Sequence, residues 1–181
     1  FLASRDSGKT LGAACLELLQ VLHARRSIVH LAAILQQSNK NVEYIRSFLS
    51  RPGLRDFVVG KNKRLIEILR YVHPGTNQIL NEAEWKELPD SERIQYERIY
   101  NYIKILVMSA ESTNSDHVPS ATIDEADLIS GEKVRAYTES KMILGSDVLG
   151  NLPITLIIST RKSSAGLVQK EIDGANQTGL K

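Results

Sequence analysis

The sequence predicts an α/β fold with a mainly parallel sheet flanked by helices. Short apolar runs alternate with longer segments of helical periodicity, which is typical of strands joined by crossover helices. The 181 residues fit one domain, and 42% of them are hydrophobic, enough for a sizeable core. A single cysteine excludes an internal disulfide scaffold, and no apolar run reaches the roughly 18 residues that a membrane span needs. We therefore expect a soluble, intracellular protein.

The first 70 residues contain the opening elements of this pattern. In order, they are the end of a strand at 1–3, a helix over 10–25, a strand over 28–31, a helix from 39 or 41 to 50, and hairpin strands at 57–59 and 65–69. The side of the first helix that is expected to face the core carries Leu11, Cys15, Leu18, Leu19 and Leu22. The strand, helix and strand at the beginning predict a βαβ unit.

Residues 73–102 break this rhythm, and we expect them to be an insertion. Loop-forming residues at 73–77 precede a charged segment over 80–102 that is expected to be helical, with a restart at Asp90 or Ser91. The restarted helix would carry Ile94, Tyr96, Ile99, Tyr100 and Ile103. The remaining predicted elements are a strand over 103–108, a polar loop over 109–119, a short strand ending at 123, a helix over 132–142, a strand over 154–158 and a helix over 165–172.

The formal charge is unevenly distributed along the chain. Residues 1–70 carry 12 basic and 5 acidic side chains, whereas the rest of the chain carries 11 basic and 16 acidic ones. The first part could therefore contact phosphate groups, although solvated helix faces explain most of the charge equally well. Aromatic residues make up only 6% of the sequence, which gives little support to a stacking platform for single-stranded nucleic acid.

The first motif that carries chemistry is Ala3-Ser4-Arg5-Asp6-Ser7-Gly8-Lys9-Thr10, between the first strand and the first helix. A loop at this place can wrap its backbone N–H groups around phosphates. Gly8 would allow close approach, Lys9 would reach the β and γ phosphates, and Thr10 would offer its hydroxyl to Mg²⁺. The motif is a P-loop variant, because Ala3 replaces the first glycine of G-x-x-x-x-G-K-[ST].

The second motif is Asp124-Glu125, which follows a predicted strand. The first carboxylate can hold Mg²⁺, usually through water, and the second can orient a water that attacks the γ-phosphate. By itself this pair is explained as well by an acidic turn on a solvated face. Together with the P-loop it predicts a nucleotide-hydrolysing site. Ser159 and Thr160, after a later apolar strand, could sense the γ-phosphate from an adjacent strand, or could simply form a turn.

These residues resemble one family, the ATPase domain of tailed-phage large terminases, the motors that pump DNA into procapsids. The resemblance rests on the arginine inside the loop of Ser4-Arg5-x-x-Gly8-Lys9-Thr10, on Ile123-Asp124-Glu125-Ala126, and on Ile158-Ser159-Thr160, and it spans nearly the whole chain. It implies a P-loop NTPase core of the ASCE, RecA-like class, over 1–181, and the hydrolysis of ATP with Mg²⁺.

The resemblance also implies a role for each site residue. Residues 4–10 would bind the nucleotide, with Arg5 contacting the γ-phosphate as a catalytic cation. Thr10 and Asp124 would hold the metal, and Glu125 would be the catalytic carboxylate. Ser159 and Thr160 would couple hydrolysis to DNA movement.

The implied partners are double-stranded DNA, the phage portal, the small terminase subunit and further copies in a ring, with no membrane, in the cytoplasm of the infected bacterial host. We expect the chain to be truncated at both ends, without the family's upstream adenine-binding segment or its nuclease domain. Two alternatives remain open. Asp124-Glu125-Ala126-Asp127 spells the signature of DEAD-box helicases, but the expected RNA-binding strings are not found between the motifs. The second alternative is a module that binds nucleotide but does not hydrolyse it.

Overall fold

The computed structural model describes residues 8–33, 35–108, 118–129, 133–135, 137–138, 152–159 and 166–177. Its helices are α1 (Lys9–Leu22), α2 (Leu35–Leu49), α3 (Glu82–Glu87), α4 (Asp90–Arg93) and α5 (Leu167–Gln177). Its strands are β1 (Ile28–Ala32), β2 (Val58–Lys61), β3 (Leu65–Val72), β4 (Ile79–Leu80), β5 (Glu97–Val107), β6 (Ser120–Asp124) and β7 (Ile154–Ile158). Residues 133–135 and 137–138 are also helical, and single 3-10 turns span Arg55–Phe57 and Ala126–Leu128.

The described strands form one mixed sheet with the order β2-β3-β5-β1-β6-β7, and β4 pairs with β3. In one half of it, β5, β1, β6 and β7 run parallel. In the other half, β3 pairs antiparallel with β2, β4 and β5. The predicted α/β fold with helices on a central sheet is confirmed, and its parallel half has the arrangement in which ligands bind beyond the carboxyl ends of the strands.

The two faces of the sheet bury separate apolar clusters. One cluster packs α1 and α2 against the sheet and includes Ala14, Val21, Ile28, Ile45 and Ile103. The other packs α5 and the segment after β6 against the opposite face, and it includes Val29, Leu31, Ile123, Ile129 and Val168. Successive strand residues point to opposite faces, so residues 28, 30 and 32 of β1 lie on the α1 side together with residues 120, 122 and 124 of β6.

The predicted helix that was to carry Ile94, Tyr96, Ile99, Tyr100 and Ile103 is wrong beyond residue 93, where α4 ends and a turn follows. Residues 97–107 form the 11-residue strand β5, which pairs with β3 over residues 97–104. Residues 99, 101, 103 and 105 are buried while their neighbours are more exposed, a period of two that belongs to a strand. Between β3 and β5, the indole of Trp85 stacks on Tyr71 with ring centroids 4.2 Å apart, as expected if Trp85 anchors this segment.

The predicted face of α1 is wrong in part, although the helix itself is confirmed over Lys9–Leu22. Leu18 and Leu22 pack in the core as predicted. Leu11, Leu19 and Cys15 are exposed, and the buried face carries instead Lys9, Ala13, Ala14, Glu17, Leu18 and Val21. Alanine side chains let the helix approach the sheet closely, and the two buried charged residues require polar partners inside the molecule. None of the described helices is both long and apolar enough to cross a membrane.

Candidate functional site at the carboxyl ends of the parallel strands

The first described residues of the P-loop motif form the beginning of α1. Gly8 is the N-cap residue and adopts a left-handed conformation with φ of 76°, which glycine tolerates without a steric penalty. Lys9 is 8% exposed and Thr10 is half-buried. The N-cap Gly8 has no side chain that could cap α1, and among the described residues no side-chain cap is found. The first backbone N–H groups of this 14-residue helix are suited to an anion, and the helix dipole favours negative charge there.

The acidic pair lies at the carboxyl end of β6, as predicted. Asp124 is the last residue of the strand and is 5% exposed. Burial raises the pKa of Asp124, and the neighbouring Glu125 carboxylate adds to this shift, whereas the His30 ring opposes it. A buried carboxylate with a raised pKa gains from a nearby cation, because the cation stabilises its charged form.

Glu125 leaves the strand in a left-handed conformation with φ of 52°. Its N–H donates to the carbonyl of Ile158 at 2.7 Å, which ties the turn after β6 to the end of β7. Its Oε2 atom is buried and has no hydrogen-bond partner among the described residues. A non-glycine residue in this conformation and an unsatisfied buried oxygen are both unfavourable, and such features are concentrated at functional sites.

Contacts along α1 bring the two motifs to the same edge of the sheet. The hydroxyl of Ser120, at the start of β6, donates to Gln20 of α1. One turn earlier in α1, Glu17 contacts the centre of β1, so the helix runs antiparallel to the strands. From Gln20 back to Thr10 the helix spans about 15 Å, and from Ser120 to Asp124 the strand spans about 13 Å. Thr10 therefore lies nearly level with Asp124.

Ser159, one of the two predicted coupling residues, links β7 to the turn after β6. Its hydroxyl accepts from the N–H of Asp127 at 3.2 Å, and the Asp127 carboxylate accepts from the N–H of Val168 at 3.0 Å, in the first turn of α5. Gly166 permits this contact, because a Cβ there would lie 2.5 Å from Asp127 Oδ1. Ser159 thus connects the end of β7, through Asp127, to a helix on the opposite face of the sheet.

Several predicted site residues lie outside the described residues. These are Ser4, Arg5, Asp6, Ser7 and Thr160, together with the predicted strand at 1–3, most of the loop at 109–119 and most of the helix at 132–142. Their predicted roles stay predictions.

The sequence analysis missed one buried polar cluster next to this site. Glu17 of α1, His30 of β1 and Asn41 of α2 are all fully buried. His30 Nδ1 lies 2.7 Å from Glu17 Oε1, and Asn41 Nδ2 donates to Glu17 Oε2 at 2.8 Å. The histidines are dispersed along the sequence, so their spacing gives no sign of this cluster. The one available signal is that each of the three elements has a polar residue at a position where its pattern predicts an apolar one.

The charges of Glu17 and His30 support each other. Burial alone would raise the pKa of Glu17, but the charge of His30 and hydrogen bonding from His30 and Asn41 hold it below its usual value. Burial alone would lower the pKa of His30, but the Glu17 carboxylate raises it, with a contribution from Asp124. The Thr122 hydroxyl also lowers the pKa of Glu17, although it makes no hydrogen bond of ordinary geometry. Each of the two side chains therefore favours the charged form of the other.

The donor set of the site suits Mg²⁺ bound together with phosphates. Within the described residues, no group of three or more His, Cys, Asp or Glu side chains is arranged to hold a metal. Mg²⁺ at nucleotide sites is held by only one or two protein oxygens, and phosphates and water supply the rest. The buried carboxylate of Asp124, the unsatisfied Oε2 of Glu125 and the hydroxyl of Thr10 fit that requirement.

A second feature, the basic groove, lies between α2 and the β2–β3 hairpin, away from the acidic pair. Its volume is about 940 Å³, and the described residues that line it include the cations Arg46, Arg55 and Lys63 and no acidic residue. Arg46 donates through Nη2 to the carbonyl of Asn62 in the hairpin. Arg55 and Lys63 are exposed at the groove, so this face attracts anions.

The comparisons with known proteins agree with this geometry at the level of the fold. No protein-family model and no curated protein matches the chain. Among solved structures, it is similar to the large terminase of bacteriophage HK97, with a TM-score of 0.62 and 17% identity over 98% of this chain and 33% of that one. The large terminase of the thermophilic bacteriophage D6E gives a TM-score of 0.59 and 9% identity over 97% of this chain and 37% of that one.

The ATPase domain of the large terminase of Thermus phage P74-26 is also similar, with a TM-score of 0.53 and 16% identity over 90% of this chain and 58% of that one. The chain thus spans about a third of two of these proteins and little more than half of the third. The predicted resemblance to terminase ATPase domains is confirmed as a shared fold.

Proposed function

We propose that this chain binds ATP with Mg²⁺ at the edge formed by α1 and β6 and hydrolyses it. The observation that carries the proposal is the level placement of Thr10 and Asp124, together with the buried, unsatisfied Oε2 of Glu125. Two motifs separated by more than 100 residues would have no reason to share one edge if each were a chance string. The fold of the chain supports the same function, since it is similar to the fold of terminase ATPase domains.

The residues of the site would divide the work in the following way. The backbone N–H groups of residues 4–10 and the ammonium of Lys9 bind the phosphates, and Arg5 offsets the negative charge that develops on the γ-phosphate. Thr10 and Asp124 hold Mg²⁺, which when bound polarises the phosphate oxygens. Glu125 orients the attacking water and accepts its proton. A buried carboxylate oxygen without another hydrogen-bond partner is suited to this role.

We further propose that hydrolysis drives the packaging of double-stranded DNA, in a ring of copies that works with a phage portal and a small terminase subunit in the host cytoplasm. The residues 1–181 would form one ATPase domain, with 73–102 as an insertion. Ser159 and Thr160 would transmit the state of the nucleotide. The contact from Ser159 to Asp127 supports this role, because it extends from the site to α5.

The basic groove supports contact with the phosphate backbone of DNA. Arg55 and Lys63 can neutralise phosphates without reading bases, which suits a motor that must accept any sequence. Replacing both with alanine should lower the slope of log affinity against log salt for duplex DNA by about 1.8, or 0.9 for each lost contact. The control is Lys86→Ala, which removes an exposed cation outside the groove; Lys86 is paired with Glu82 on α3, as Arg55 is paired with Asp56. An equal change in slope for both variants would remove the groove from the DNA path.

Paired variants test the nucleotide site. Glu125→Gln should keep the affinity for ATP while turnover falls by at least about 100-fold, the usual contribution of a catalytic base. Lys9→Ala should lose both binding and turnover. Binding is measured with a fluorescent ATP analogue and turnover by phosphate release. Equal turnover in the wild type and in Glu125→Gln would remove Glu125 from the mechanism, and binding without turnover in the wild type would favour a non-hydrolysing module.

A DEAD-box helicase is the second candidate, because the string from Asp124 to Asp127 matches its signature. In this chain Asp127 accepts a hydrogen bond from the first turn of α5 and has its own N–H bound to Ser159. Stimulation of ATP turnover by RNA but not by duplex DNA would favour the helicase over the packaging motor.

A further inference from the structure

The proposed reaction leaves the cluster of Glu17, His30 and Asn41 without a role. Its members come from three different elements, α1, β1 and α2, and all three are fully buried. Asn41 Nδ2 lies 2.7 Å from His30 Nδ1 and 2.8 Å from Glu17 Oε2, so each member is within hydrogen-bond distance of the other two. The cluster joins these three elements through polar side chains, within the apolar layer that also packs them together.

The stability of the fold does not explain such a cluster. Taking a carboxylate and an imidazolium out of water has a large desolvation cost, and replacing buried ion pairs by apolar residues of similar volume is often neutral or stabilising. The rest of the α1 face is apolar, with Ala14, Leu18 and Val21 packed against the sheet. An apolar residue at position 17 would therefore fit the same interface, and the charged pair calls for another reason.

The position of the cluster suggests that reason. Glu17 lies eight residues after Lys9, on the same buried face of α1. His30 lies opposite Thr122 in the sheet and on the same face as Asp124, two residues further along β6. The cluster therefore includes a residue of the helix that begins with the P-loop lysine, and a residue in register with the strand that ends with the acidic pair.

We propose that His30 is a positioning residue of the nucleotide site, which Glu17 and Asn41 hold in place so that the beginning of α1 keeps a fixed position relative to the end of β6. This inference rests on the proposed function. A shift of α1 by one residue would move its first turn by about 1.5 Å and rotate it by about 100°, and it would break the 2.7 Å contact between His30 and Glu17. A misplacement of about 1 Å at reacting groups can cost on the order of 100-fold in rate.

The test compares variants of the 181-residue chain that separate positioning from stability. The triple variant Glu17→Met, His30→Leu and Asn41→Leu removes the cluster and leaves no unpaired charge. It should unfold at the same urea concentration as the wild type or a higher one. Its affinity for a fluorescent ATP analogue, and the Mg²⁺ concentration for half-maximal binding, should nevertheless be worse by roughly 10- to 100-fold, as when a residue that orients a metal ligand is lost.

Arg70→Met is the matched control. Arg70 is also a buried charged residue that contacts α1, but it binds the carbonyls of Val21 and Leu22 at the end remote from the nucleotide. It should lower the urea midpoint and leave nucleotide affinity within about twofold of the wild type. The variant Glu17→Gln keeps volume and hydrogen bonding but removes the charge, and should have a smaller effect on affinity than the triple variant.

Each outcome decides the question. Wild-type affinity and Mg²⁺ dependence in a folded triple variant would overturn the positioning role. If the triple variant does not fold, Glu17→Gln decides, and an effect on affinity no larger than that of Arg70→Met would overturn it as well. Absence of nucleotide binding in the wild type would instead refute the proposed function and remove the basis of the inference, so the two failures are distinguishable.

Discussion

Arg70 allows a quantitative prediction about how α1 is held. The last four carbonyls of a helix lack partners within the helix. In α1, the first two of these bind backbone N–H groups of the following loop. The other two, of Val21 and Leu22, accept from the Arg70 guanidinium. Because Arg70 is only 4% exposed, the substitution Arg70→Met would leave both carbonyls without their donor in a buried place.

The expected loss follows from these two bonds. A hydrogen bond to a charged group contributes about 1.5–3 kcal/mol, so two of them amount to roughly 3–6 kcal/mol. Part of this is offset because methionine avoids the desolvation of the guanidinium, which lowers the pKa of Arg70 to about 10. We expect a net loss of about 2–3 kcal/mol in the free energy of unfolding, measured by urea denaturation with an unchanged slope. A loss below about 1 kcal/mol would refute this account of how α1 ends.

Two further predictions concern single contacts. Tyr100 donates to Glu67, which raises the pKa of its phenol to about 12; Glu67→Gln should move one tyrosine in a spectrophotometric titration back toward pH 10, and identical curves for the two proteins would contradict the contact. Gly166→Ala should destabilise the chain by roughly 1–3 kcal/mol, because its Cβ would meet Asp127 at 2.5 Å. The matched control Gly174→Ala, with open space around its Cβ in α5, should stabilise it by roughly 0.5–1 kcal/mol, and the same sign for both would contradict the packing argument.

The order of strands and helices could be predicted from periodicity because most of these elements have a dominant local pattern. The exceptions have physical reasons. In β5, aromatic and charged residues were interpreted as one face of a helix, but Ile99, Asn101 and Ile103 alternate with exposed neighbours and pair with β3. The pairing of β5 with β3, which is distant in the sequence, determines that this segment is a strand. No local signal in the charged segment before it argued against a helix.

The orientation of α1 shows a second limit of prediction from the sequence. Its leucines form the more hydrophobic side, yet the buried side carries alanines and Glu17. Glu17 can be buried only because His30 and Asn41 lie beside it, and these residues come from two other elements. A single-sequence argument treats each charged residue as exposed, since the partner that compensates its burial is known only once the chain has folded.

More of the candidate site than of its surroundings could be predicted from the sequence. The spacing of Gly8, Lys9 and Thr10 reflects local backbone chemistry, and Gly8 adopts the left-handed conformation that such a loop uses. The position of Asp124 at the end of a buried strand also follows from local pattern. The buried cluster beneath them was not predicted, because it depends on the register between α1 and the sheet.

The most direct test of the account is a crystal structure of the chain with Mg²⁺ and a non-hydrolysable ATP analogue. We predict that the triphosphate lies at the beginning of α1, that the metal lies about 2.1 Å from the Thr10 hydroxyl, and that Asp124 binds it directly or through one water. A nucleotide bound elsewhere, for example in the basic groove beside α2, or a metal out of reach of both Thr10 and Asp124, would contradict the account.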